Sequence, residues 1–283
     1  MSLLPKLQYF AFRGRALASR VALFNALGKD GWIDEKISLP RFKKAQPFPI
    51  PQTPMDRIKA EYITNNLPQL TLPCGLKISQ SHAIARYAAK LGNSNRGLSA
   101  MNSADQQPVH HVSELYPTDP KLALLVDEVI AIIDQMLLLT PKDEDEEVKA
   151  KNRVKFYTSG FLRIGMELLE ARLAVTAISS DYAPEPGPFL LGSQLSIADL
   201  YIRSPLADLF DYKQFEGIPV EFYNEFPHIQ GCATAVLTHP LLKEYKQHYK
   251  VWVCTNNIIL VYIIVLYGSD TRKDRQYMAG ISH

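Results

Sequence analysis

At 283 residues, 47% of them apolar, the chain is long enough for one large domain or two medium ones and has the material for a buried core, which excludes an intrinsically disordered chain. It carries 31 basic and 29 acidic residues, a formal charge of +2, and no basic stripe interleaved with aromatics, so the electrostatic footprint of a nucleic-acid binder is missing. Small molecules or a second copy of the chain are the partners this composition favours.

Cys74, Cys232 and Cys254 are widely spaced and form no CxxC or Cys/His ligand spacing, a usage that suits a reducing compartment and no structural zinc. The N-terminus lacks a charged segment followed by an apolar one, so no signal peptide is expected and the cytoplasm is the expected location. Near the other end, Ile258 to Tyr267 is an unbroken apolar run, but it falls short of the about 20 residues a membrane helix needs, and Asn256 and Asn257 interrupt it. A membrane association is therefore not expected.

In chain order, residues 6–12 read as a strand, and residues 14–28 as an amphipathic helix with Ala16, Val21, Phe24 and Leu27 on its apolar side and Gly28 as a stop. Residues 31–39 form a second strand pattern. Five prolines between positions 40 and 54 then predict a loop or insertion, because neither a helix interior nor a central strand tolerates them. A short helix at 55–64 follows, then two short strands about Cys74-Gly75, then a helix from Ser81 with Ser81 as its expected cap. The order β-α-β-α-β-β-α over residues 1–92 is that of a thioredoxin-like domain.

Residues 93–116 are polar and aperiodic and read as a linker. From 117 to 250 the pattern is all-α. Asp119 and Pro120 start a helix whose face carries Leu122, Leu125, Val129, Ile133 and Met136; the acidic run before Val148 sits where a helix dipole favours it. Ser196 and Asp199 have capping-box spacing with Leu195 and Leu200 as a staple, a folding device without chemistry. Residues 251–283 form a hydrophobic then polar tail of unassigned role.

In this order, LQYFAFRGRA (7–16), LPQL (67–70) before a hairpin, QSHAIARYAAKLG (80–92), VDEV (126–129) and LLGSQLSIADL (190–200) make the chain resemble a cytosolic glutathione transferase. The sigma class, with the haematopoietic-type prostaglandin D synthases and the lens S-crystallins, is the nearest in pattern. The resemblance implies an α+β thioredoxin-like domain followed by an all-α helical-bundle domain, glutathione as substrate with no metal, a hydrophobic electrophile as second substrate, a homodimer and a detoxification role.

Residue by residue, it implies that Tyr9 is catalytic, its hydroxyl donating to the glutathione sulfur and so favouring the thiolate over a thiol of ordinary pKa about 8.5. Arg15 is implied to lie against the Tyr9 ring. Leu67 and Pro68 match a cis X-Pro pair that presents backbone to the cysteinyl part of glutathione. Gln80 and Ser81 match the γ-glutamyl site, Ser81 being at a helix N-terminus suited to an anion. Lys59 matches a cation for the glycyl carboxylate, and Asp127 an acid for the γ-glutamyl ammonium of the neighbouring subunit.

The pattern also departs from the family. Met55 stands where a tryptophan is usual and cannot donate the indole hydrogen bond; an alternative alignment puts Phe42 there and loses Lys59. Asn66 replaces a lysine or glutamine, and His82 a larger apolar residue. A glutathione transferase is the expected function. A glutathione-dependent isomerase of the prostaglandin D synthase type and a non-catalytic crystallin-like or regulatory scaffold are the alternatives.

Overall fold

The computed structural model of the protein describes residues 3–45, 53–101, 113–178 and 185–249. The expected strand at 6–12 is short: β1 spans Lys6–Tyr9 and ends where the chain turns through a 3₁₀ turn, Gly14–Ala16, into α1, Leu17–Leu27. Gly28 closes α1 with φ +69° and accepts no helical continuation. β2, Ile33–Lys36, runs parallel to β1; β3, Gln69–Thr71, and β4, Lys77–Ser79, complete a mixed sheet of order β2-β1-β3-β4. Gly75, at φ +87°, makes the hairpin turn between β3 and β4, as the Cys74-Gly75 pair predicts.

Two expectations for this half are corrected. The segment after β2 is partly helical: α2 covers Leu39–Ala45, because Pro40 lies in the first turn, where its missing N–H has no helical partner to lose. Phe42 on α2 is a core aromatic, edge-on to Phe10 and tilted against Tyr62. The prolines at 47, 49 and 51 lie outside the described residues. α3, Pro54–Lys59, starts on Thr53, whose side chain accepts the Asp56 amide, and buries none of its residues.

The second correction concerns α4, Ser81–Met101, which continues into the stretch read as a linker from residue 93. Ser81 is its first helical residue and not its cap; the carbonyl of Gln80, at φ +79°, accepts the Ile84 amide and closes the first turn. Asn93 extends from α4 to donate to the Tyr116 carbonyl, which gives that polar residue a reason to be helical. The rest of the expected linker, residues 102–112, is outside the described residues.

In the second half, α5, Pro120–Leu138, is capped by Asp119, which accepts the amides of Lys121 and Leu122. Val129, Ile133 and Met136 are buried as the spacing predicts, together with Val126 and Ile130. α6, Glu146–Thr158, and α7, Phe161–Thr176, follow. The capping box before α8, Ile197–Tyr201, forms: the Ser196 hydroxyl and amide both donate to Asp199 at 2.7 Å, and Leu195 and Leu200 are buried. Asp199 is itself fully buried and also accepts the Leu190 amide and the Cys232 thiol.

Beyond α8 the chain is further helix, as the pattern predicts, but with a break. Residues 202–207 form a wide π turn with Ser204 extended and a cis Ser204-Pro205 bond, leading into α9, Asp208–Asp211. Proline removes a helical donor and cannot extend the ladder, so the break falls at Pro205. α10, Val220–Tyr223, α11, Pro227–Thr238, and α12, Pro240–His248, complete the bundle. α8 packs on α1, α4 and α5, so the two halves share one core. No helix among the described residues is long and apolar enough to cross a membrane; the tail from 250 onward is outside them.

Candidate active site

The sheet register brings five of the ten expected residues to one end of the sheet. Gln8, Gln69 and Ser79 lie in one cross-strand row. Tyr9, Pro68 and Gln80 each stand one residue beyond that row, on the same end of three neighbouring strands about 5 Å apart. Ser81 follows at once, and the hydroxyl of Ser19 on α1 donates to its carbonyl at 3.2 Å, fastening α4 to α1. The Leu67-Pro68 bond is cis. Tyr9, Leu67, Pro68, Gln80 and Ser81 thus converge.

Tyr9 is 1% exposed. The backbone N–H of Arg15 donates to its hydroxyl oxygen at 3.2 Å, and among the described residues its own hydrogen has no acceptor. Burial raises its pKa, against the pull of that N–H and of the Arg15 and Arg20 charges, so at neutral pH it is a phenol and a donor. The turn that brings Arg15 round depends on Gly14. Its φ is +41°, and a Cβ there would stand 2.6 Å from the Tyr9 hydroxyl oxygen.

The cation over the Tyr9 ring is Arg20, at 5.5 Å from the ring centre, which corrects the expectation for Arg15. Arg20, one helical turn into α1, is buried, pairs with Asp34 on β2 at 3.1 Å, and donates to the carbonyls of Phe10 and Phe12. It therefore ties the loop after Tyr9 to the sheet. The Arg15 side chain turns away to Asp134 on α5, at 3.0 Å.

Asp134 is shared. Its second oxygen lies 3.0 Å from Nδ1 of His82, the residue after Ser81. Asp127, two turns earlier on α5, has both oxygens engaged within the chain, by Arg86 at 2.7 Å and by the Tyr116 hydroxyl at 3.1 Å. The acid that meets the Tyr9 end of the fold is therefore Asp134.

The remaining expected residues are exposed. Lys59 ends α3, is exposed and has no ion-pair partner among the described residues. Met55 on the same helix is 61% exposed. Asn66 is exposed beside Leu67, its amide donating to the Thr64 carbonyl. Behind the site, the Ser204 hydroxyl donates to the Gly14 carbonyl at 3.1 Å. Buried Asp208 is shared by Arg13 at 2.5 Å and Arg203 at 2.6 Å, joining the loop after β1 to the helical half. Arg20, Asp134 and Ser204 were not singled out by sequence reasoning, and His82 only as a departure from the family pattern. The RGRALASR spacing is the only local signal, for Arg20.

Residues 134–248 match the family model described as Glutathione S-transferase, C-terminal domain. No curated protein matches the chain in sequence. Among solved structures, rat haematopoietic prostaglandin D synthase complexed with a quinoline is similar at 19% identity and a TM-score of 0.56, covering 87% of this chain and 96% of its own. The sigma-class glutathione transferase of Fasciola hepatica is similar at 18% identity and a TM-score of 0.57, covering 89% and 98%. A glutathione transferase homologue from Sulfitobacter with bound glutathione is similar at 14% identity and a TM-score of 0.57, covering 87% and 98%. The chain therefore has the cytosolic glutathione transferase architecture, a thioredoxin-like domain followed by an all-α domain, with its second half matching the glutathione S-transferase C-terminal domain.

Proposed function

We propose that this chain is a glutathione transferase in which Tyr9 donates a hydrogen bond to the sulfur of bound glutathione. The observation that carries the reading is the state of Tyr9: a buried phenol, oriented through its oxygen by the Arg15 N–H, with its hydrogen unclaimed among the described residues. A donor aimed at the sulfur stabilises the thiolate after the thiol proton has left to solvent, and Tyr9 keeps its own proton throughout. The N–H donated to its oxygen makes the phenol a better donor.

The γ-glutamyl end then lies at Gln80 and Ser81, where the first amides of α4 face an anion. Leu67 offers its backbone to the cysteinyl unit, as no backbone hydrogen bond engages it among the described residues. Arg15 contributes positive charge, and Lys59 is the cation for the glycyl carboxylate. Attack on an electrophile beside the thiolate draws much of its rate from holding both reactants together. A homodimer, a hydrophobic electrophile and the cytoplasm complete the reading on the resemblance stated above.

A second reading, a scaffold of this fold without turnover, is favoured by two observations. Tyr9 is almost fully covered, so ligand entry has to shift the loop after β1, and Met55 supplies no indole donor. Conjugation of glutathione to chlorodinitrobenzene, measured for the native protein and Tyr9→Phe, separates the two. Native activity that falls at least tenfold in the variant, about 1.4 kcal/mol of transition-state stabilisation, supports catalysis. Equal rates remove Tyr9 as catalyst, and failure to bind glutathione resin supports the scaffold.

A further inference from the structure

Tyr201 ends α8, the helix that packs on α1, α4 and α5. Its side chain is fully buried, and its hydroxyl makes no hydrogen bond among the described residues. A phenol in that state has given up its bonds to water and gained none in return. Burial pushes its pKa up, so it keeps its hydrogen and is a donor without an acceptor.

The polar groups that act most on this hydroxyl are the Ser81 side chain, Asp134, Arg15 and Arg86. The two guanidiniums only donate. Asp134 has one oxygen on Arg15 at 3.0 Å and the other 3.0 Å from Nδ1 of His82. Ser81 is the acceptor that remains. It is buried and bonded through its carbonyl, by Ser19, an arrangement that does not use its hydroxyl. Its side chain is close enough to act on the phenol as a hydrogen-bonding group, yet the bond itself is not formed. The same end of α4 favours an anion: the amides of Ser81, His82 and Ala83 precede that of Ile84, the first to be taken, by the Gln80 carbonyl.

We propose that Tyr201 is a positioning residue for a carboxylate bound at Ser81: as Ser81 donates its hydroxyl to the carboxylate, its oxygen accepts from the buried Tyr201 phenol. The proposal rests on the reading that glutathione places its γ-glutamyl carboxylate at Ser81. A serine hydroxyl has one hydrogen to give and two lone pairs to receive. With Tyr201 on one of those lone pairs, the Ser81 hydrogen is aimed at the ligand, and each bond in the chain from phenol to serine to carboxylate polarises the next. Tyr201 itself stays covered and touches no ligand.

The test is a double-mutant cycle of Tyr201→Phe and Ser81→Ala on the full chain, read as the Kd for S-methylglutathione by calorimetry, with a thermal melt of each free protein. Tyr201→Phe deletes only an unpaired buried hydroxyl, so the free protein should melt no lower than native while its affinity falls about fivefold. Ser81→Ala should lose about tenfold, and adding Tyr201→Phe to it should cost nothing further. A Tyr201→Phe protein that binds as well as native, that melts lower, or that loses as much affinity without the Ser81 hydroxyl as with it overturns the role of Tyr201 and leaves the glutathione reading intact. No binding by the native protein overturns both.

Discussion

The hydroxyl of Ser204 donates to the carbonyl of Gly14 across 3.1 Å, joining residues 190 positions apart. Ser204 can do so because it is extended, φ −151°, inside an otherwise helical stretch, and it is buried. The break in the second half thus supports the turn that presents Arg15 to Tyr9. Ser204→Ala removes the donor and leaves the Gly14 carbonyl buried without it, which should cost about 1–2 kcal/mol of stability. Urea unfolding measures this, and a conjugation rate that falls further than Ser19→Ala under the same assay would show that the loss reaches the Tyr9 turn.

Gly14 itself is under a double constraint. Its φ of +41° strains any L-residue, and a Cβ would sit 2.6 Å from the Tyr9 hydroxyl and 2.7 Å from the Phe12 ring. Gly14→Ala should therefore destabilise by about 1–3 kcal/mol and displace the phenol. Denaturant midpoints read the first effect. Glutathione conjugation, expected to drop at least as far as in Tyr9→Phe, reads the second.

Arg20 is the larger risk to the fold. Arg20→Met leaves Asp34 buried with its guanidinium gone and frees the carbonyls of Phe10 and Phe12. Breaking a buried pair from one side costs about 3–5 kcal/mol, enough to unfold a marginal protein. The double change Arg20→Met with Asp34→Leu removes both charges and should recover part of that loss in a thermal melt; no recovery would assign the cost to the loop carbonyls instead.

The protonation state of Tyr9 has its own signature. Burial holds its pKa above the ordinary phenol value, so the folded state favours the proton, and ionisation opposes folding as pH rises beyond that value. A difference spectrum of native against Tyr9→Phe should show no phenolate absorbance below about pH 10. Phenolate from Tyr9 near neutral pH would mean that the site works by charge and not by hydrogen-bond donation.

Several elements were legible in the chain because their causes are local. The Asp119-Pro120 start of α5 and the Ser196 capping box need only residues within one turn of each other. Tyr9, Pro68 and Gln80 were legible as motif positions, and the strand register explains why they meet. The residues between 39 and 45 were misread because proline was counted as a breaker without regard to its place in the first turn. α4 outran its expected end because Asn93, polar in sequence, is anchored to Tyr116 in space.

By itself the sequence determined the order of the four strands and the starts of α5 and α8. Only the tertiary structure decided which charges meet. It set Arg20 and not Arg15 over the Tyr9 ring, and it gave Asp127 to Arg86 and Tyr116 while Asp134 went to Arg15 and His82. Local order follows from hydrogen bonds and periodicity within a few residues. Long side chains such as arginine choose partners by burial and reach across elements, and nothing in the spacing along the chain records that choice.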